Sequence, residues 1–179
     1  MRTLILTAAA ALAASCATAQ GTDAQTTEAK AAPCSSEIFH QFDFWIGEWE
    51  VFAQNGAKAG ENIISVEEYG CLLVERWTSA NGTTGQSYNF VDLATSKWRQ
   101  VWVSNWGTID YSGGLNEDGA MVLEGDIAYP NGTKSPFTGT WTLNEDGSVT
   151  QHFRQLNAET KEWSDWFIGT YKKKAVAAE

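Results

Sequence analysis

The chain has 179 residues, a formal net charge of −10 at pH 7 and nine tryptophans. This length favours one domain with a substantial core. The acidic excess, with no stripe of Lys and Arg between aromatic side chains, argues against a nucleic-acid partner. The one basic run, residues 172–174, is typical of a solvated strand end.

Residues 1–19 have the pattern of a secretory signal peptide. Arg2 precedes an apolar run over residues 4–14, and an A-x-A cleavage motif follows. The run is too short to cross a bilayer as a helix, so no membrane span is predicted. Processing as a lipoprotein at Cys16 is the alternative, although Ala13 stands where such signals usually carry Leu. We predict export to the periplasm or the extracellular space.

A flexible leader is predicted over residues 20–34, which are mostly small and polar with no apolar period. The folded domain is predicted over residues 35–174, and residues 175–179 form a short tail. The domain opens with SSEIFHQF, in which Ser35 or Ser36 is the expected N-cap of a short helical turn.

Two cysteines, Cys34 and Cys71, remain once the signal peptide is removed. In an exported chain an even pair predicts a disulfide, and the alternative is two buried thiols. Neither cysteine has a nearby His or a C-x-x-C spacing. The sequence therefore predicts no metal site and no catalytic thiol.

Short runs of alternating apolar residues begin at Trp45, and turn pairs such as Asn55-Gly56 and Asn81-Gly82 separate them. Regular turn signals without a helical pattern between them indicate an antiparallel meander. About ten strands fit in the meander, and closing it removes its exposed edges. The predicted fold is all-β, an antiparallel up-and-down β-barrel with a short N-terminal helical cap. A β-sandwich is the alternative.

Strand alternation predicts an interior that is aromatic but also contains glutamines. A buried amide without a partner costs about 1–3 kcal/mol. The amides therefore favour a cavity in which they meet a ligand, water or one another. The alternative is that they lie at the barrel mouth and contact only solvent. The predicted ligand-binding residues are Tyr88, Phe90, Trp98, Trp102, Trp141 and Phe153 for affinity, and Gln86, Gln100 and Gln151 for orientation.

The segment FDFWIGEWEV, residues 42–51, resembles the G-x-W signature of calycins, which include lipocalins and fatty-acid-binding proteins. Together with Gly70-Cys71, the WRQVW run and the strand around Trp163, it also resembles a family of small exported bacterial proteins. That family is classed as a domain of unknown function, the DUF1579-like group. The resemblance covers roughly residues 38–172 and implies a calycin-like barrel.

The resemblance also implies roles for single residues. In calycins the motif tryptophan plugs the closed end of the barrel under a helical turn, which implies structural roles for Trp45, Gly47 and Trp49. Nitrobindin-like haem proteins begin a ten-strand barrel with a similar segment and hold iron through a His on a late strand. Here His152 alternates with Phe153 and is predicted to face outward, so no cofactor is predicted.

The sequence has no G-x-S-x-G, no H-E-x-x-H and no Gly-rich phosphate loop. The one candidate catalytic side chain is Glu75 on the third predicted strand. If the register turns Glu75 inward beside aromatic side chains, its pKa would be raised and it would suit a general base. The opposite register places Glu75 in a surface ion pair.

Three functions stay open at this point. The first, which the sequence favours, is an exported barrel that binds a small apolar or amphipathic molecule. The second is a barrel enzyme, an isomerase or a hydrolase, that uses Glu75. The third is a glycan-binding or structural envelope protein in which Trp106, Trp163 and Trp166 stack on sugars. The sequence names neither the ligand nor the oligomeric state.

Overall fold

The computed structural model describes residues 32–175, which form an all-β fold. Three short 3-10 helices accompany the strands: Glu37–His40, Asp43–Trp45 and Glu68–Gly70. The ten strands are β1 (Gly47–Ala53), β2 (Lys58–Glu67), β3 (Leu72–Ser79), β4 (Thr84–Asp92), β5 (Lys97–Ser104), β6 (Gly107–Leu115), β7 (Met121–Ala128), β8 (Lys134–Leu143), β9 (Val149–Leu156) and β10 (Trp163–Lys173).

Several sequence predictions concern residues beyond this range. The signal peptide over residues 1–19 and the alternative processing site Cys16 lie outside the described residues. Most of the predicted leader and residues 176–179 of the predicted tail also lie outside them. Within the described part of the chain, no helix is long and apolar enough to cross a membrane.

Each strand pairs antiparallel with its neighbours along the chain, and β1 also pairs with β10, so the sheet closes. At the closure Trp49 lies opposite Lys173 and Val51 lies opposite Tyr171. A closed sheet leaves no edge strand to pair with another chain. The predicted ten-strand barrel is therefore confirmed, and the β-sandwich alternative is wrong.

Glycines with positive φ form the hairpin turns that the Asn-Gly pairs predict. Gly56, Gly82 and Gly132 have φ values of +80°, +84° and +82°. Residues other than glycine rarely adopt such positive φ values without strain. In the first of these turns the Ala57 N–H donates a 3.0 Å hydrogen bond to Asn55 Oδ1. Local chemistry thus sets where the strands end.

The G-x-W segment closes one end of the barrel. Trp45 and Trp49 are fully buried, and Trp49 Nε1 donates a 2.8 Å hydrogen bond to the backbone oxygen of Trp45. Gly47 has a φ of +129°, and a Cβ at this position would meet Lys173 Nζ at 2.5 Å. That ammonium lies 4.1 Å from the centre of the Trp49 ring and donates to the Ile46 carbonyl. The positive φ favours glycine here, and a larger residue would also displace the Lys173 ammonium.

The helical cap, residues 37–45, packs onto this end through aromatic contacts. The Phe42 ring stacks on Trp45 with centroids 4.9 Å apart and meets Trp98 and Trp141 at 5.7 and 5.3 Å. Trp98 Nε1 donates a 2.9 Å hydrogen bond to the backbone oxygen of Ile38. This aromatic layer seals the capped end of the barrel.

A disulfide joins Cys34 to Cys71, with Cα atoms 5.1 Å apart and a separation of 37 positions in the sequence. The predicted bridge is therefore confirmed. It ties the segment before the cap to the start of β3, at the sealed end of the barrel. The first 3-10 helix begins after Ser36, one of the two predicted N-cap positions, although the Ser36 side chain makes no capping hydrogen bond.

Candidate functional site

A cavity of about 330 Å³ lies in the barrel toward the end opposite the cap, beside the turn between β3 and β4. This volume is at the lower end of the range for small-molecule sites. The wall includes Glu75, Gln100, Ile109 and Gln151, with Ser79, Asn81 and Thr83 at the turn. The aromatic part of the wall consists of Trp77, Trp102, Trp106, Tyr111, Phe153, Trp166, Phe167 and Tyr171.

Glu75 is the central polar group of this wall and is only 4% exposed. Asn62 Nδ2 donates a 2.7 Å hydrogen bond to one carboxylate oxygen, and Ser87 Oγ donates a 2.5 Å bond to the other. Arg76 lies on the opposite face of the sheet, where its guanidinium is 3.0 Å from a Glu67 carboxylate oxygen. The inward register is therefore the one that forms, and the alternative of a surface ion pair for Glu75 is wrong.

Burial in these surroundings raises the pKa of Glu75 to about 7, because an apolar environment disfavours the charged carboxylate. The hydrogen bonds from Ser87 and Asn62 act in the opposite direction and favour the charged form. The hydroxyl groups of Tyr111 and Tyr171 have pKa values well above the ordinary one because they are buried and face the Glu75 charge. Both tyrosines are therefore neutral at physiological pH, while Glu75 titrates close to it.

One branch of hydrogen bonds leads from Glu75 across β2 toward β10 and β9. Asn62 Nδ2 also donates a 3.3 Å bond to Tyr171 Oη, and Tyr171 Oη donates a 3.0 Å bond to Gln151 Oε1. The second polar atom of the amide, Asn62 Oδ1, is buried and has no hydrogen-bond partner among the described residues. An acceptor left unsatisfied in this way is costly.

A second branch leads from Glu75 across β4 and β5 to β6. Ser87 Oγ, which donates to Glu75, accepts a 2.9 Å hydrogen bond from Asn89 Nδ2. Asn89 Oδ1 accepts from Gln100 Nε2, and Gln100 Oε1 accepts from Tyr111 Oη. The Gln100 and Gln151 amides, 1% and 3% exposed, thus bond to buried partners. The alternative that they contact only solvent is wrong.

A β-bulge in β10 shapes the mouth of the cavity. Asp165 pairs with Arg154 and Phe167 pairs with Phe153, so Trp166 is an extra residue in the strand. Bulges re-aim side chains that strict alternation would place on opposite faces. Trp166 and Phe167 consequently both line the cavity although they are adjacent in sequence.

The Trp166 ring belongs to an aromatic group at this mouth. Its centroid lies 5.4 Å from that of Trp106, and the Trp106 ring lies 6.3 Å from Trp102. Trp102 is 9% exposed, and its Nε1 donor is buried without a hydrogen-bond partner in the described part of the chain. The mouth therefore presents a group of tilted aromatic rings, and the Trp102 donor is buried behind it.

The predicted ligand-binding residues separate into three groups. The first group lines the cavity and consists of Gln100, Trp102, Gln151 and Phe153. The second group, Trp98 and Trp141, is interior but packs beneath the cap and takes no part in the cavity wall. The third group lies on the outer face of β4 and contradicts the prediction.

The predicted inward orientation of Tyr88, Phe90 and Gln86 is wrong. Tyr88 is 47% exposed, whereas Ser87 and Asn89, which alternate with these residues, are fully buried. An alternating strand offers two faces, and apolar content alone favoured the aromatic one. The polar face turns inward because its side chains hydrogen-bond to the buried carboxylate on β3 and to the β5 amide. A buried carboxylate without these donors would be more costly than two aromatic side chains on the surface.

The sequence predicted no place in the cavity wall or in its hydrogen-bond network for eight residues that the structure puts there. They are Asn62, Trp77, Ser87, Asn89, Ile109, Tyr111, Trp166 and Phe167. Alternation in β6 would have identified Ile109 and Tyr111, since they alternate with polar Thr108 and Asp110. No local pattern distinguishes Asn62 or Ser87 from ordinary surface positions, because their buried state depends on strands distant in sequence.

The outer surface carries the remaining candidates. His152 faces outward, as predicted, and its Nε2 lies 2.7 Å from Asp165 Oδ1. Trp163 is 40% exposed, and the Arg154 guanidinium lies 6.0 Å from its ring centre. Of the three tryptophans predicted to stack on sugars, Trp106 and Trp166 line the cavity instead of forming one exposed patch with Trp163. Among the described residues, no group of three or more His, Cys, Asp or Glu side chains is placed to hold a metal ion.

Comparison with known sequences adds no assignment: no protein-family model matches the chain, and no curated protein matches it significantly. The class is therefore defined by the geometry alone. It is a closed ten-strand antiparallel β-barrel, sealed at one end, with an aromatic cavity and one buried carboxylate toward the other.

Proposed function

We propose that this protein binds a small, largely apolar molecule in the barrel cavity. The observation that carries the proposal is a space of about 330 Å³ bounded by eight aromatic side chains and by the hydrogen-bonded polar side chains Glu75, Gln100 and Gln151. The space opens at the mouth, where Trp166 is 41% exposed, and extends inward to the buried Glu75. A mostly apolar wall with a few convergent polar groups is the usual composition of a ligand site.

We also propose that the protein is an exported calycin-like barrel related to the DUF1579-like group. The sealed end built on Trp45, Gly47 and Trp49 supports this relation, since the resemblance places these residues there. The Cys34–Cys71 disulfide supports export, because disulfides persist in oxidising compartments. The signal-like pattern of residues 1–19 supports it as well.

An enzyme is the second candidate, and one observation favours it. Glu75, with a pKa of about 7, lies in the cavity wall and is suited to proton transfer near neutral pH. The lining residues include no His, Cys, Lys or Arg beside it. Such an enzyme would be limited to a proton transfer on a bound substrate. Glu75→Gln would abolish this reaction while leaving the binding of a purely apolar molecule intact.

Native mass spectrometry tests the binding function directly. The protein, purified from its own source, is measured under native and denaturing conditions. We expect a reproducible additional mass that is lost on denaturation, and its value would identify the ligand. If no additional mass is found and apolar probes also fail to bind, the proposal is overturned.

Two tryptophans on β10 provide a matched pair of variants for a binding assay. Trp166 and Trp163 are 41% and 40% exposed, but only Trp166 lines the cavity. The probe is N-phenyl-1-naphthylamine, an apolar dye whose fluorescence rises in apolar sites. We expect Trp166→Ala to weaken dye binding about tenfold, a typical effect of removing a central aromatic contact, and Trp163→Ala to leave it unchanged. Equal effects of the two variants would place the dye outside the cavity.

A further inference from the structure

We propose that the ligand of the cavity is an organic monocation, an ammonium group on an apolar body, and that its charge pairs with the Glu75 carboxylate. The inference rests on the proposed function, because it names the ligand class for the same cavity. The charge of the wall, the hydrogen bonds around Glu75 and the aromatic surroundings all favour such a ligand.

The charge of the cavity wall is unbalanced. Glu75 is the only acidic or basic side chain among the lining residues. The nearest basic side chain in sequence, Arg76, is on the outer face and pairs with Glu67. Lys174 pairs with Glu61, also outside the cavity. An opposite charge within about 4–6 Å favours the charged form of a carboxylate. Since the described chain offers no such cation inside, a bound ligand is the group that can supply it.

The hydrogen bonds around Glu75 indicate which ligand group fits. The donors Asn62 Nδ2 and Ser87 Oγ each occupy one carboxylate oxygen, and each oxygen has further acceptor capacity. The neighbouring Asn62 Oδ1 is a buried acceptor with no partner in residues 32–175. Asn62 itself does not line the cavity, so the acceptor capacity open to a ligand is that of the Glu75 oxygens. An ammonium group brings three donors and no acceptor, whereas a ligand carboxylate would bring only acceptors.

The aromatic surroundings are also suited to a cation. Trp77 lies two residues beyond Glu75 on the same face of β3, and Trp102 and Phe153 line the cavity from β5 and β9. Aromatic faces attract ammonium groups and alkylated ammonium groups in desolvated sites. The formal net charge of −10 adds a long-range attraction for cations.

Three probes of similar size and different charge test the inference: 2-phenylethylammonium, 2-phenylethanol and phenylacetate. Binding to the full chain is measured by isothermal titration calorimetry at a pH of about 8, where Glu75 is charged. We expect the ammonium probe to bind at least about 30-fold more tightly than the alcohol, the effect of a desolvated charge pair, and the carboxylate probe not to bind.

Glu75→Gln and Glu124→Gln form the variant pair for this experiment. The first removes the charge inside the cavity, and the second makes the same change on the exposed outer face of β7. We expect Glu75→Gln to reduce the ammonium affinity to about that of the alcohol, and Glu124→Gln to leave it within about twofold. Circular dichroism establishes that each variant is folded.

The pH dependence provides a measurement that needs no variant. The titratable groups that face Glu75 from the surrounding strands are Tyr111 and Tyr171, and both stay neutral near pH 7. Between pH values of about 5.5 and 8 the ammonium affinity is expected to rise, by up to about tenfold per pH unit below the Glu75 pKa, and then to level off. Titrations at a pH of about 6 in two buffers should show proton release on binding of the ammonium probe but not of the alcohol.

The outcomes separate this inference from the proposed function. If the alcohol binds as tightly as the ammonium probe, and no proton is released, the ligand is not a cation but the barrel still binds small molecules. If neither these probes nor N-phenyl-1-naphthylamine bind, and native spectra show no added mass, both proposals fail together.

Discussion

Glu75 illustrates how a single side chain takes its properties from strands that are distant in sequence. Its two hydrogen-bond partners, Asn62 and Ser87, come from β2 and β4 and are themselves fully buried. Both partners are neutral, so the carboxylate is solvated by the protein without being neutralised. Burial raises the pKa of Glu75 to about 7, and the two hydrogen bonds only partly oppose this shift, so Glu75 titrates near neutral pH.

The raised pKa predicts that the protein loses stability as the pH rises. In the folded state the Glu75 pKa is about 7, against 4.5 for an ordinary Glu, so the folded chain holds the proton more tightly than the unfolded chain does. The stabilisation from this proton is fully present below about pH 4.5 and is lost as the pH rises through about 7. The total loss in the free energy of unfolding is on the order of 3 kcal/mol, measured by denaturant unfolding across this pH range.

The same variant pair isolates this effect from that of other titrating groups. Glu75→Gln should lack this decrease in the free energy of unfolding between the pH limits, because glutamine does not titrate. Glu124→Gln should keep it, since Glu124 is exposed on the outer face. Parallel pH profiles for the wild type and Glu75→Gln would contradict the assignment.

At the level of elements, the two ends of the barrel are built differently. The capped end is packed by Trp45, Trp49 and Phe42 without remaining exposure. The opposite end keeps a cavity, because the bulge at Trp166 turns an additional ring toward the mouth without filling the space behind it. One end is therefore closely packed, and the other keeps the cavity to which we assign ligand binding.

Truncating a buried side chain at the capped end should destabilise the fold strongly. We expect Trp45→Ala to lower the free energy of unfolding by about 3–5 kcal/mol, because it leaves a cavity in a fully buried aromatic layer. The control is Trp163→Ala, which removes an equally large side chain that is 40% exposed and should cost about 1 kcal/mol or less. Both values come from urea unfolding followed by circular dichroism. A cost for Trp45→Ala no larger than that of the control would show that the cap does not support the barrel.

For the whole molecule, closure between β1 and β10 makes the barrel one continuous hydrogen-bonded sheet. The disulfide adds a covalent link at the sealed end, far along the strands from the cavity mouth. Removing this disulfide should consequently lower the stability of the barrel without changing ligand binding.

We expect Cys34→Ser with Cys71→Ser to lower the free energy of unfolding by about 4 kcal/mol, the chain-entropy estimate for a loop of 37 residues. Binding of N-phenyl-1-naphthylamine at 25 °C should be unchanged, because neither cysteine lines the cavity. Unfolding curves and dye titrations on the same preparation measure both quantities. Loss of dye binding in a variant that remains folded would show that the two ends are coupled.

The sequence by itself determined the elements and their order. Asn-Gly pairs require turns, alternating runs between them require strands, and a pair of cysteines in an export context predicts a bridge. These are local properties of the chain, and the ten strands, the helical cap and the Cys34–Cys71 disulfide follow from them. The inward positions of Gln100, Trp102, Gln151 and Phe153 could also be predicted, because in β5 and β9 the opposite face carries the basic side chains.

Only the tertiary structure decided which face of β4 turns inward, where β10 bulges and where Glu75 lies. A period of two defines two faces of a strand but does not say which one is buried when both carry apolar or polar groups. In β4 the decision came from hydrogen bonds to a carboxylate on another strand, which favoured Ser87 and Asn89 over Tyr88. In β10 it came from one extra residue in the pairing with β9, which brought Trp166 to the cavity. Contacts of this kind form only after the barrel closes, and for that reason the local sequence does not contain them.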